Sequence, residues 1–144
     1  MIVFRMLGPS DDAILDQVAE GVFDHVVDPA LAAEFLADPR HHLAVALDGE
    51  VVVGMASALH YIHPDKPPEL WVNEVGVAPE QQRRGVGLGL LRALLAHGRA
   101  LGCTQAWVLT DRENAAARGL YAASGGIEAS DSVVMVEFDL RSGS

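Results

Sequence analysis

The sequence predicts one α/β domain. Three observations carry that expectation. Short apolar stretches with strand character alternate with stretches of helical periodicity. The 144 residues, half of them hydrophobic, are enough to bury a real core. A glycine- and arginine-rich turn, Gln82-Arg83-Arg84-Gly85-Val86-Gly87, joins an apolar strand to a long helix. No repeat and no linker interrupts the pattern, so residues 1–140 read as a single domain and Arg141 to Ser144 as a tail.

The elements follow in order. Ile2 to Leu7 reads as a strand that Gly8-Pro9-Ser10 breaks. Ser10 can cap a helix with Asp11 and Asp12 in its first turn. Ile14, Leu15, Val18, Val22 and Val26 would share one face of that helix. Asp28 caps a second short helix with Pro29 at its first position, ending near Asp38-Pro39. Leu43 to Leu47 is a strand, Asp48-Gly49 a hairpin turn, and Val51 to Tyr61 the returning strand. The stretch from His63 to Pro68 holds too many prolines for a strand. Leu70 to Ala78 is the next strand, and the glycine-rich helix after it runs to about Leu101. Thr104 to Thr110 is a strand, Asn114 to Ala123 a helix, and Gly125-Gly126 a break. Ile127 to Leu140 offers one or two last strands, with a turn at Ser130-Asp131-Ser132.

Composition narrows the function classes. The net charge of -10 makes nucleic acid a poor partner and suits a cationic one, although an acidic surface also serves solubility. No apolar run approaches the roughly 20 residues that span a bilayer, and Met1 to Arg5 lacks a signal-peptide layout. A single cysteine, Cys103, leaves no internal disulfide. These points fit a cytoplasmic enzyme with no membrane partner. The pairs His41-His42 and His60/His63 lack companion ligands at metal spacing, so no metal is expected, and His97 reads as surface or satisfied core.

Three glycines, 85, 87 and 89, crowd the start of the long helix. Each costs about 1 kcal/mol relative to alanine inside a helix. Glycines let a ligand approach the backbone, and the free N–H groups of a helix start bind anions. Arg83 and Arg84 would be repelled by the helix dipole unless an anion sat there. The stretch therefore reads as a pyrophosphate cradle. It is not a P-loop, since no Lys-Ser/Thr follows, and Gly85-Val86-Gly87-Leu88-Gly89-Leu90 misses the third glycine of the dinucleotide fingerprint.

The spacing Gln82-x-x-Gly85-x-Gly87 resembles the acetyl-CoA-binding motif of the GNAT acetyltransferases. The order of elements from Ile2 to Leu140 matches that superfamily too, as does Asn114 to Leu120-Tyr121. The resemblance implies a mixed, mostly antiparallel central sheet flanked by about four helices, with acetyl-CoA as cosubstrate. It implies that Gln82, Arg83, Arg84, Gly85, Val86, Gly87, Leu88 and Gly89 hold the pyrophosphate. The backbone of Val75, Gly76 and Val77 would pair with the pantetheine arm, and Asn114 would touch the cofactor or only cap its helix. It also implies direct transfer to a neutral amine. Glu74, a carboxylate inside an apolar strand, is the candidate base, and Tyr121, whose phenol keeps its proton at neutral pH, the candidate acid.

Two stretches, Ala58 to Gly87 and Asp111 to Asp139, look similar to aminoglycoside 3-N-acetyltransferases of the gentamicin-resistance type. Those enzymes carry aspartate where Glu74 stands here. The resemblance implies an aminoglycoside acceptor held by Asp24, Asp28, Asp65, Glu69, Asp111 and Glu113, with Glu34 and Glu128 adding negative potential. Acetylation of another small amine or of a protein amine, and a noncatalytic acyl-CoA-binding module, remain as alternatives. A homodimer is left open, since last strands are often exchanged in this superfamily.

Overall fold

The computed structural model describes residues 1–130 and 132–141. Five strands form one sheet in chain order: β1 (Ile2–Met6), β2 (His41–Asp48), β3 (Val51–Tyr61), β4 (Glu69–Val77) and β5 (Gln105–Val108). The first four pair antiparallel, and β5 runs parallel to β4. Three α-helices accompany them among the described residues: α1 (Pro29–Ala37), α2 (Val86–Ala100) and α3 (Ala115–Ala123). This is the anticipated mixed, mostly antiparallel architecture, with three α-helices rather than four.

Local chemistry sets most boundaries. Asp28 caps α1 by accepting from the N–H groups of Ala30 at 2.8 Å and Leu31 at 3.2 Å, and Pro29 follows at the first helical position. Gly49, at φ 61, makes the β2–β3 turn. Asn114 caps α3 through Ala117 N–H at 3.0 Å. The long helix α2 buries Val86, Leu90, Leu91 and Leu94 against one sheet face. There, a methyl on Gly54 would meet Leu90 at 3.0 Å, and one on Gly98 would meet Leu70 at 2.9 Å.

Two expected elements do not form. The helix predicted from Ser10 is only a 3-10 turn over Asp12–Asp16. Asp11 accepts from Gly8 N–H at 2.7 Å and from Arg5 at 2.9 Å, which closes the break. Beyond it, Val52 N–H donates to Gln17 carbonyl and Ala19 N–H to Val52 carbonyl, both at 2.9 Å. The segment around Val18 thus pairs beside β3 instead of coiling. Gly21, at φ 88, then turns the chain. Val22 still reaches the core, but Val26 is exposed.

The last strands are the second correction. Among the described residues of 127–140 there is none, and Val134, Val136, Phe138 and Leu140 are exposed. Strand-like sequence forms a strand only where a neighbouring edge accepts its hydrogen bonds, and among the described residues no ladder joins this segment to the sheet. Of the turn expected at Ser130 to Ser132, Asp131 lies outside the described residues, as do residues 142–144 of the tail.

A line of three imidazoles runs under the C-terminal half of α2. His42 Nε2 lies 2.8 Å from His60 Nδ1, and His97 Nε2 lies 3.1 Å from His42 Nδ1. His42 is buried, and burial, followed by the neighbouring His97 and His60, lowers its pKa to about 4. Among the described residues, no three His, Cys, Asp or Glu side chains converge as metal ligands.

Candidate active site

The site begins with a fault in β4. Ser57 pairs with Glu74 and Ala58 with Val72, so Asn73 is an extra residue, a β-bulge. Its trace in the sequence is a skipped beat: Leu70 and Val72 share one face, then Val75 and Val77 resume it. The bulge sets Glu74 on the sheet face opposite α2. Glu74 is exposed there.

The bulge also marks where β5 ends. The β4–β5 ladder runs from Glu69 and Gln105 to Val72 and Val108 and stops. Past that point the β5-facing edge of β4, from Asn73 to Val77, has no ladder partner among the described residues. Val75, Gly76 and Val77 lie on this edge, where an extended amide-bearing arm can add as a strand does. Gln82 reaches back and donates from Nε2 to Val77 carbonyl at 3.2 Å, which folds the following turn against the strand end.

That turn leads to the start of α2. Gly85 is its N-cap residue in the left-handed conformation, at φ 78, and no side chain caps the helix. Gly89 N–H donates to Gly85 carbonyl at 3.0 Å. The N–H groups of Val86, Gly87 and Leu88 precede that first helical bond, as a helix start leaves them. Arg83 is held at φ 65, which a non-glycine residue adopts only at a cost of about 1–2 kcal/mol. Arg83 and Arg84 are exposed beside these donors.

The glycines divide by role. A methyl on Gly85 would meet nothing within 4 Å, so that position opens outward. A methyl on Gly87 would come 3.3 Å from Leu120, where α3 crosses α2. Gly89 is required by the Phe4 ring of β1, which takes the place a side chain would fill. Packing therefore accounts for Gly89, Leu120 crowds Gly87, and Gly85 keeps the open approach a ligand needs. Gly76 likewise admits the Val22 carbonyl, which crosses the Glu74 face of the sheet.

Tyr121 follows Leu120 on α3 and packs, half-buried, against the core. Burial raises its pKa, so the phenol stays protonated and able to donate. Cys103 is pushed up by burial too, which suits a packed thiol.

The acidic residues separate. Asp24 lines a cavity of about 670 Å³ within the segment that crosses Gly76, together with Asp12, Asp16, Glu20 and His25. The local sequence does not single out Asp12, Asp16 and Glu20, because its spacing predicts a helix where this segment opens. Asp28 caps α1 and Asp65 meets Lys66 at 3.1 Å. Glu69 meets His63 at 2.8 Å, and Glu128 makes a two-pronged pair with Arg118. Asp111, Glu113 and Glu34 are exposed. Asn114 uses its side-chain oxygen as the α3 cap.

Residues 13–125 match the acetyltransferase (GNAT) family. The chain belongs to that family. The N-alpha-acetyltransferase RimI of Mycobacterium tuberculosis is 38% identical over 97 residues, covering 67% of this chain and 59% of that protein. Mycothiol acetyltransferase of Saccharopolyspora erythraea is 43% identical over 60 residues, 42% of this chain and 19% of that protein. The GNAT chain thus spans less than two thirds of either relative. An aminoglycoside acetyltransferase from an uncultured soil metagenomic sample, solved with sisomicin, superposes with a TM-score of 0.79 at 18% identity, covering 97% of each chain. A ribosomal-protein-alanine N-acetyltransferase from Brucella melitensis gives 0.73 at 16% identity, covering 96% of this chain and 100% of that one. Both likenesses are of fold. Among the described residues no helix is long and apolar enough to cross a membrane.

Proposed function

We propose that this GNAT chain transfers acetyl from acetyl-CoA directly to a primary amine of a small cationic acceptor, an aminoglycoside being the favoured one. One observation carries the reading: a bulge exposes Glu74 at the point where β4 loses its neighbour and runs toward an uncapped helix start. Gln82 to Gly85 and the N–H groups of Val86, Gly87 and Leu88 would hold the pyrophosphate, with Arg83 and Arg84 balancing its charge. The free edge from Val75 to Val77 would hold the pantetheine amides and can offer an N–H to the thioester oxygen. Glu74 takes the proton that the ammonium must lose, directly or through water. The amine nitrogen then attacks the thioester carbonyl carbon, a C–N bond forms and the C–S bond breaks. Tyr121 gives its phenolic proton to the departing sulfur, and the second proton shed by the new amide nitrogen returns through water to the phenolate. No covalent enzyme intermediate is needed, in keeping with a Cys103 thiol that packs against the core and is only in part exposed.

A net charge of -10 and the carboxylates of Asp12, Asp16, Glu20 and Asp24 around one cavity support a cationic acceptor. A second reading, acetylation of a protein N-terminus, is favoured by the 38% identity to RimI. CoA release from acetyl-CoA separates them, measured with gentamicin, sisomicin, kanamycin, spermidine and a peptide bearing a free N-terminus. Turnover on the aminoglycosides, reduced in Glu74→Gln and Tyr121→Phe, supports the first reading. Turnover on the peptide alone transfers support to the second. Tight acetyl-CoA binding without any turnover would make the chain an acyl-CoA-binding module.

A further inference from the structure

The sheet face that carries Glu74 holds a second group of side chains that the reaction does not use. Trp71 pairs with Leu59 and Glu74 with Ser57, two positions apart on β3, so Trp71 and Glu74 point the same way. Trp107 is in register with Trp71, and the two indoles stack at 5.1 Å between centroids with planes 9° apart. Trp107 Nε1 donates to Tyr61 Oη at 2.6 Å, which leaves the phenol proton free to be donated elsewhere. His63 stands edge-on to Tyr61 and binds Oε2 of Glu69 at 2.8 Å. Only one carboxylate oxygen is used by that bond, so Oε1 can accept a second donor. All five side chains are partly exposed.

A stacked indole pair beside an oriented carboxylate suits one chemistry. The indole faces attract a cation, and the carboxylate gives it a charged acceptor. The chain as a whole is acidic, with 20 Asp and Glu against 10 Lys and Arg, which favours a cationic ligand in general. Glu69 stands opposite Tyr61 and Glu74 opposite Ser57, four β3 residues apart, so at about 3.3 Å per residue the two lie about 13 Å apart along the sheet, with the indoles between. We propose that Trp71, Trp107, Tyr61 and the His63–Glu69 pair form a distal acceptor subsite. It binds a second cationic group of the acceptor, about 10–14 Å from the amine being acetylated. The inference rests on the reading of the Glu74 face as the acceptor face. It makes the preferred substrate an extended polycation rather than a short amine.

The test uses a convenience of composition: Trp71 and Trp107 are the two tryptophans of the chain, so tryptophan fluorescence, excited where tyrosine does not absorb, has both its emitters in this subsite. Sisomicin is titrated into the protein, with 1,3-diaminopropane as an acceptor too short to span the distance. A saturable fluorescence change is expected with sisomicin, at concentrations where diaminopropane gives none. Glu69→Gln and Trp107→Phe, both conservative in shape, are expected to weaken sisomicin binding five- to tenfold. They should raise its KM by the same factor, while kcat changes much less. Sisomicin turned over without a fluorescence change, or with an unaltered KM in both variants, overturns the subsite. A fluorescence change that Glu69→Gln weakens, with no acetyl transfer, keeps the subsite and discards the transfer reading. Neither signal discards both.

Discussion

The histidine line makes the stability of this protein fall in mild acid, by an amount that can be worked out. His42 sits buried between His60 and His97 with its pKa lowered to about 4 from an ordinary 6.5. An unfolded chain takes up the proton as pH drops through 6.5, but the folded chain refuses it until about 4. Stability from this group is therefore complete above 6.5 and lost as pH falls toward 4. The loss between pH 7 and pH 5 is about 2 kcal/mol, reaching about 3 kcal/mol below pH 4. Burial lowers the His60 pKa as well, which adds in the same direction. Asp38 opposes the shift at both, while Arg40 reinforces it at His60 and His41 at His42. The assay is urea unfolding at pH 7 and pH 5, for wild type and His42→Phe. Carboxylates titrate in both proteins, so the difference between them isolates the imidazole. His42→Phe should be less stable at pH 7, through two imidazoles left short of a partner, yet lose about 2 kcal/mol less than wild type on going to pH 5. Equal losses in the two proteins would refute the argument.

Other consequences follow from the site and the packing. Glu74→Gln should lower kcat by about 10²–10³-fold with the fold intact by circular dichroism, the loss expected of a missing general base. Gly89→Ala should destabilise by about 1–3 kcal/mol through overpacking against Phe4. The same change should cost less in a Phe4→Leu background, a coupling that thermal unfolding of the four proteins reads directly. Asp28→Ala should lower stability by about 1 kcal/mol through loss of the α1 cap. A raised acceptor KM at unchanged melting temperature would instead make Asp28 a ligand.

What the sequence made legible was local. Asp28-Pro29, Gly49, Asn114 and the stretch from Gln82 to Gly87 each announce a cap, turn or helix start by their own chemistry, and each stands where expected. What stayed hidden depends on partners far along the chain. Val18 and Val22 keep helical spacing, yet hydrogen bonds to Val52 draw the segment out as an edge. His42, His60 and His97 are 18 and 55 residues apart and meet only when α2 lies on the sheet. The Phe4 ring that fills the place of a Gly89 side chain leaves no local trace in the sequence, where Gly89 reads as part of the phosphate cradle. The segment from Ile127 to Leu140 has strand composition without an edge to receive it. The bulge at Asn73 was legible in principle, since the alternation of Leu70, Val72, Val75 and Val77 breaks there.

The central claim is that a GNAT chain with this β4 edge and helix start delivers acetyl to an amine that Glu74 deprotonates. Its most direct test is mass spectrometry of sisomicin after incubation with acetyl-CoA and purified protein, wild type beside Glu74→Gln. The account predicts an acetyl group added to an amine by wild type, with the yield at early times sharply reduced in the variant. Unmodified sisomicin with both proteins would contradict the aminoglycoside assignment, and equal yields from the two would contradict the role given to Glu74.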